Sequence, residues 1–294
     1  MIFKRRNSKI EEIEELKQLL SCDLTEKQRF SVERELNAIN KGASGEDDSA
    51  YYLNFYYGNS KNWAIIHDLR IEHEGIVAQI DLILINRIFD FYILESKSYK
   101  NGIKITENGE FEAYYGNKYF GIPSPLEQNE RHIFVLNKFM NKNNILPKRM
   151  GVTIRPTYLN YVLISPGSVI KRPNSKKFNS ENVIKADTLK TVIDKNADKA
   201  PRSVSDIMAV IKISTFSTIE TIAQKLASVH TPKKMNWKEK FRVKKTVQHQ
   251  EKLSFSTNTQ ENNSKFYCAK CKKGISAKVA KFCWNNKVKF KGRA

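Results

Sequence analysis

The stretch IVAQIDLILINRIFDFYILESK, residues 76–97, decides the fold. Ile76 to Ile85 alternates and then runs apolar, as a strand does when it enters a core. Asn86-Arg87 supplies a turn, and Phe91 to Lys97 is a second apolar run rich in β formers. Upstream, Trp63 to Glu72 has the same character and closes on the turn His73-Glu74-Gly75. The three runs predict an antiparallel three-stranded meander.

The polar residues inside these runs carry the chemistry. Asp81 interrupts an apolar strand, and a buried carboxylate is costly unless it is paired or binds a cation. Glu95 and Lys97 are two apart, so they share one face of their strand. Pairing the strands brings Asp81 and Glu95 to neighbouring positions with Lys97 beside them. Two carboxylates suit Mg²⁺ or Mn²⁺, which keeps several waters and takes phosphate oxygens as further ligands. A metal held there lowers the pKa of a bound water and polarises a phosphate. A salt-bridge network on a half-exposed sheet would use the same three side chains, and Glu-x-Lys alone is common. The residues by themselves leave both readings open.

Working outward, residues 9 to 40 read as helix, with Ile13, Leu16, Leu19 and Leu20 and then Phe30, Val32, Leu36 and Ile39 at helical spacing. The segment from Lys41 to Glu46, with Gly42 and Gly45, is expected to break this pattern before Ala50, Leu53 and Tyr57 resume a helix. Downstream, short strands are expected at 103–106 and 111–115. Pro123 and Pro125 mark a loop, and a helix follows from about Leu126 to Lys142. Tyr158 to Ile164 reads as a strand buried on both faces, 182–185 as a short strand, and 187–193 and 204–229 as helices. The order predicts an α/β class, a mixed β-sheet flanked by helices.

The 294 residues carry a net charge of +20. From Thr231 onward there are 18 Lys or Arg against three Glu, so +15 of the excess lies there. Trp237, Phe241, Phe266, Tyr267, Trp284 and Phe290 are interleaved with these lysines. Basic residues bind phosphate by counterion release, and aromatic rings stack on bases, so this tail points to nucleic acid. No apolar run approaches the ~18 residues that span a bilayer. The basic start Met1 to Arg6 has no apolar stretch after it, so no membrane association and a cytoplasmic location are expected. Cys22 lies on a helical stripe and is expected to be a small buried side chain. Cys268, Cys271 and Cys283 cluster at the end of the chain, which points to metal rather than disulfides.

Several motifs in order resemble the NERD (nuclease-related domain) family, of the wider PD-(D/E)xK restriction-endonuclease-like class. They are Gly42-x-x-Gly45-Glu46, Asp68-Leu69, Gln79-Ile80-Asp81, Leu94-Glu95-x-Lys97-x-Tyr99-x-x-Gly102, and Pro125-x-x-Gln128 with His132. The resemblance implies a restriction-endonuclease-like core. It makes Asp81 and Glu95 metal-binding acids and Lys97 the catalytic lysine. It makes Glu46 an acid on the first helix that holds metal-bound water or a second ion. Gln128 would lie near the metal or DNA, with His132 on the same helix face, and Gln79 beside Asp81. The turn after Asp81 usually carries Gly in the family, and Asn86-Arg87 replaces it here.

The implied organisation is a helical extension over 1–40, a NERD-like domain over 41–230 with its motif core at 41–150, a linker over 231–264, and a partial zinc-ribbon-like segment over 265–294. The pair Cys268 and Cys271 forms a zinc knuckle, and Cys283 adds a third thiolate. The fourth ligand would have to be water, His249 or another chain, so Zn²⁺ binding and a vestigial segment both stand as readings. The leading functional expectation is an Mg²⁺-dependent nuclease acting on DNA. A non-catalytic nucleic-acid-binding scaffold is the alternative, and a subunit of a DNA-processing or phage-defence system is a third. The sequence has no Gly-x4-Gly-Lys-Ser/Thr loop, so an ATPase or helicase partner would be a separate chain.

Overall fold

The computed structural model describes residues 1–99, 101–198, 215–233 and 235–243, with isolated positions at 266, 275, 277 and 279–281. Two compact units are present, Met1–Lys244 and Lys245–Ala294. The strands β1 (Ile2–Lys4), β2 (Trp63–His73), β3 (Ile76–Asn86) and β4 (Asp90–Lys97) build most of the central sheet. The expected meander is present: β2, β3 and β4 pair antiparallel. β10 (Thr157–Ile164) then lies parallel to β4, and β12 (Val183–Lys185) parallel to β10. The six-stranded order is β1-β2-β3-β4-β10-β12.

The sheet is mixed and covered on both faces, which explains why its strands read as nearly continuous apolar runs. Ile83, Ile85, Phe91 and Ile93 pack in one core with Val135, Leu136 and Met140 of helix α3 (Pro125–Lys142). Their alternates Leu82, Leu84, Tyr92 and Leu94 pack in a second core with Leu53 and Tyr57 of helix α2 (Glu26–Tyr57). The helices of this region are α1 (Ile10–Leu20), α2 (Glu26–Tyr57), α4 (Leu189–Asp198), α5 (Phe216–Ser228) and α6 (Trp237–Lys240). Full burial of each such Leu or Ile contributes roughly 1.5–3 kcal/mol. A second sheet, in the order β11-β5-β6-β7, comprises β5 (Ile103–Ile105), β6 (Phe111–Tyr115), β7 (Lys118–Ile122) and β11 (Ile170–Lys171). A short hairpin of β8 (Lys148–Arg149) and β9 (Val152–Thr153) follows α3.

Several expectations are corrected. The glycines at 42 and 45 do not break the helix: α2 runs unbroken from Glu26 to Tyr57 behind a Thr25–Gln28 capping box. Helix cooperativity and packing carry two glycines through. The first residues are not merely a lead-in to a helical extension, because β1 pairs parallel with β2 inside the central sheet. Three residues are too few to show a period of two. The 231–264 stretch, read as linker, contains α6, whose Trp237 is 4% exposed and packs on Leu16, Leu19 and Val32. Cys22 is half-buried in the turn after α1, not buried on the helix stripe. The helix expected from 204 is seen from Phe216, behind a Thr215 cap, and 204–214 lie outside the described residues. Cys268, Cys271, Cys283 and His249 also lie outside them. Among the described residues no helix is long and apolar enough to cross a membrane.

Candidate functional site

The site forms where β3 and β4 part. Their ladder ends at the pair Leu82–Leu94, although β3 begins at Ile76 and β4 continues to Lys97. Asp81 and Glu95 are next in that register, on the face that carries Ile83 and Ile93. The Asp81 side chain replaces the lost ladder contact: its Oδ2 accepts from the Ser96 backbone N–H at 2.8 Å. On its other side β4 stays fully paired with β10 through Lys97–Ile164.

Glu95 is 2% exposed. Its Oε1 accepts from Lys97 Nζ and from Gln128 Nε2, both at 2.7 Å. Its Oε2 is buried with no hydrogen-bond partner, and His132 Nδ1, equally unpartnered, lies 3.6 Å away. Ser124 caps α3 and Pro125 starts it, and the helix then presents Gln128 and His132, one turn apart, to Glu95. Next to them Asn129 anchors α3 to the sheet by donating to the Ile93 carbonyl at 2.7 Å.

α2 closes the pocket from the other side. Gly45 is the reason it can come so close: a Cβ there would lie 2.5 Å from Ser98 Cβ. The approach places Glu46 near Asp81, where Arg6, delivered by β1, reaches Glu46 Oε2 at 3.4 Å. Asp68 of β2 falls between the ladder pairs His67–Leu82 and Leu69–Ile80, in a left-handed backbone conformation at φ 50°. For a non-glycine residue such geometry costs of order 1–3 kcal/mol. Asp68 accepts from Gln79 Nε2 at 3.0 Å, and Lys4 Nζ donates to its carbonyl at 2.9 Å. Gln79 therefore serves Asp68 rather than Asp81.

The electrostatics are those of crowded acids. Burial, then Glu95, then Glu46, push Asp81 well above the usual carboxylate range, against the Ser96 N–H and Lys97. Burial raises Glu95, opposed by Lys97 and Gln128. Burial also raises Glu46, opposed first by Arg6. His132 is pushed down to about 4 by burial and by Lys97 and Arg131, so it faces Glu95 as a neutral imidazole.

Asp81, Glu95, Lys97, Glu46, Gln128 and His132 are thus brought together from two strands and two helices. Sequence reading missed Arg6, Lys4 and any role for Asp68. For the last, the polar pair His67-Asp68 inside an apolar strand and the Asp68-Leu69 motif were the available signals. Among the described residues no three His, Cys, Asp or Glu side chains converge as a ready metal cage. The pocket instead offers two carboxylates, one with an unpartnered buried oxygen, in a setting that disfavours their negative charge. That is the sparse set Mg²⁺ accepts when waters and phosphate complete its shell, so the residues fit such an ion.

A mixed sheet with helices on both faces, whose strands part beside two carboxylates and a lysine, is an α/β architecture consistent with a nuclease-like core. Residues 41–164 match the NERD family, described as a nuclease-related domain. The match runs from the middle of α2 to the last residue of β10, further than the 41–150 motif core. No curated protein and no solved structure matches the chain.

Proposed function

We propose that the protein is an Mg²⁺- or Mn²⁺-dependent nuclease that hydrolyses phosphodiester bonds of DNA, with Asp81, Glu95 and Lys97 at its centre. The observation that carries this reading is Glu95 itself. A nearly inaccessible carboxylate has one oxygen held by two donors and the other left bare, beside a second, half-buried acid. A structural salt bridge would satisfy both oxygens.

In this reading Asp81 and Glu95 would hold the ion, and Glu46 would hold a metal-bound water or a second ion. A bound divalent ion would polarise the phosphate and supply hydroxide from its water at neutral pH. Gln128 and Lys97 fix the Glu95 side chain. Lys97, half-open to the surface, offers its ammonium to the phosphate oxygens as negative charge builds on them. Water adds to phosphorus and the P–O ester bond breaks, leaving a phosphate monoester and a free hydroxyl. The basic excess beyond residue 230 adds affinity for the polynucleotide.

The test incubates the full chain with plasmid, linear duplex and single-stranded DNA in Mg²⁺ or Mn²⁺, beside Asp81→Ala and Lys97→Ala. Cleavage by the wild type alone supports the reading. Substrates left intact by all three proteins, with equal filter binding, replace it with the non-catalytic scaffold.

A further inference from the structure

The acidic pocket makes no use of the second sheet, β11-β5-β6-β7. The inner face of that sheet is closed by Ile103, Ile105 and Phe111, which pack on Val162 and Ile164. Its outer face and its tip are open. Gly116 and Asn117 form a two-residue turn in which both φ angles are positive, 49° and 76°. That is the backbone of a type I′ hairpin, whose twist holds the two strands in register to their ends. The pairing of β6 and β7 accordingly continues to Tyr115–Lys118.

Four rings surround this turn. Tyr115, Tyr119 and Phe120 are 55%, 36% and 53% exposed. Tyr114 and Tyr119 are cross-strand partners with centroids 4.9 Å apart, and Lys104 and Lys171 each place their ammonium 5.4 Å from the Tyr119 ring. Lys118 stands at the tip. In the β6–β7 register Tyr114 and Tyr119 share the outer face with Lys104 and its paired acid Glu112, whereas Tyr115 and Phe120 lie on the side of the buried Phe111 and Ala113, exposed beyond them. Rings exposed on both sides of one hairpin tip mark a surface that something covers. Rings interleaved with ammonium groups suit unpaired bases and their phosphates. A second copy of the same surface would set these lysines against their own images, which like charge opposes.

The hairpin also adjoins the candidate site. Tyr99, just past β4 and four positions on from Glu95, packs on the cluster formed by Ile103, Ile105 and Phe111 of the second sheet. β7 leads through Pro123 and Ser124 into α3, whose Gln128 touches Glu95.

We propose that the β6–β7 hairpin is a base-stacking platform for single-stranded nucleic acid, holding unpaired nucleotides beside the Asp81–Glu95 pocket. A duplex hides its base faces inside the stack, so such a platform selects single strands or frayed ends. As a statement of substrate class this rests on the nuclease reading; as a statement of binding it does not.

The experiment measures fluorescence anisotropy of the full chain in chelator at near-physiological salt, where lysine–phosphate attraction is partly screened. The probes are single strands of about 20 nucleotides as DNA and as RNA, an abasic DNA strand, and the matching duplex. Wild type is expected to bind at least one base-bearing single strand more tightly than duplex or abasic strand. Tyr119→Ala and Phe120→Ala should each weaken that binding about tenfold, leave duplex binding unchanged, and lose the distinction from the abasic probe. Tyr119→Phe should behave as wild type. Both rings are exposed, so circular dichroism should show intact folds, and Phe120→Gln repeats the test with a polar side chain. Unaltered single-strand binding in the variants overturns the proposal, as does equal loss for single strand and duplex. A dimer that Phe120→Ala abolishes without changing nucleic-acid binding overturns it too. Adding Mg²⁺ separates the two claims: selective single-strand binding without cleavage sinks the nuclease reading alone. Cleavage with no effect of Tyr119 or Phe120 on binding sinks the platform alone.

Discussion

Gln128 on α3 donates to Glu95 Oε1 on β4 at 2.7 Å, across 33 positions of sequence. The contact locks the buried carboxylate into the rotamer that turns Oε2 toward His132 and away from other donors. A group that orients a metal-binding carboxylate without touching the reacting atoms typically alters activity 10–100-fold when removed. Gln128→Ala is therefore expected to lower kcat by about tenfold or more while Gln128→Glu, which sets a second acid against Glu95, lowers it further. Steady-state kinetics on a fluorogenic DNA substrate decide this, and an unchanged kcat in Gln128→Ala removes Gln128 from the site.

Asp81 makes the metal-free protein sensitive to pH. Below its ordinary value of 3.8 the acid is neutral in both folded and unfolded chains. As pH rises, the unfolded chain ionises first and the folded state loses stability until pH passes the raised folded value. Asp81→Asn keeps an acceptor for the Ser96 N–H but carries no charge. It is expected to raise the neutral-pH Tm in chelator by a few degrees, about 2–4 °C for each kcal/mol gained, and to flatten the decline above about pH 4. Parallel Tm–pH curves for the two proteins would contradict this.

His67 and His132 act in the opposite sense. Burial pushes both down to about 4 from an ordinary 6.5. The unfolded chain therefore takes up protons before the folded one, so stability is full above 6.5 and declines as pH falls toward 4. Imidazole proton shifts followed by NMR should show both rings still neutral near pH 5, and a midpoint near 6.5 for His132 would refute its burial against Glu95.

The two helical glycines should respond with opposite signs. A Cβ at Gly42 meets nothing within 4 Å, so Gly42→Ala is expected to stabilise by up to about 1 kcal/mol. A Cβ at Gly45 collides with Ser98 Cβ, so Gly45→Ala is expected to destabilise by about 1–3 kcal/mol despite the better helix former. It should also lower activity by moving Glu46 outward, and Ser98→Gly should restore part of both losses. Urea melts of the three variants test the pair, and equal effects at 42 and 45 would deny the close approach.

Trp237 tests the boundary of the first unit. It is 4% exposed against Leu16, Leu19 and Val32, and Lys240 Nζ lies 4.8 Å from its ring centroid. Trp237→Ala is expected to cost about 3 kcal/mol in a urea melt. A loss below about 0.5 kcal/mol, the scale of ordinary surface substitutions, would return the stretch to linker.

The match between sequence reading and structure follows the range of the interactions. The meander, α3 and β10 were legible because their apolar residues repeat over eight or more positions. The neighbouring register positions of Asp81 and Glu95 were legible for the same reason, since parity and one turn suffice to align two strands. β1 and β7 were not, because β1 runs straight into the basic Lys4-Arg5-Arg6 and β7 is exposed almost throughout, so neither carries a buried apolar alternation. Gly45 carried a signal that pointed the wrong way. Local propensity marks glycine as a breaker, whereas here it is a contact residue whose partner, Ser98, lies 53 positions further along the chain.

The sequence by itself determined the class of fold, the strands that carry Asp81, Glu95 and Lys97, and the separation of those acids from the basic excess beyond residue 230. Only the tertiary structure decided which oxygen of Glu95 is left bare and that Arg6 and Asp68 border the pocket. It also decided that Gln79 serves Asp68 and that an aromatic hairpin stands beside the site. Period and charge are properties of neighbours along the chain. Hydrogen-bond partners, desolvation and close approach depend on atoms brought together from distant positions, and those exist only once the core has packed.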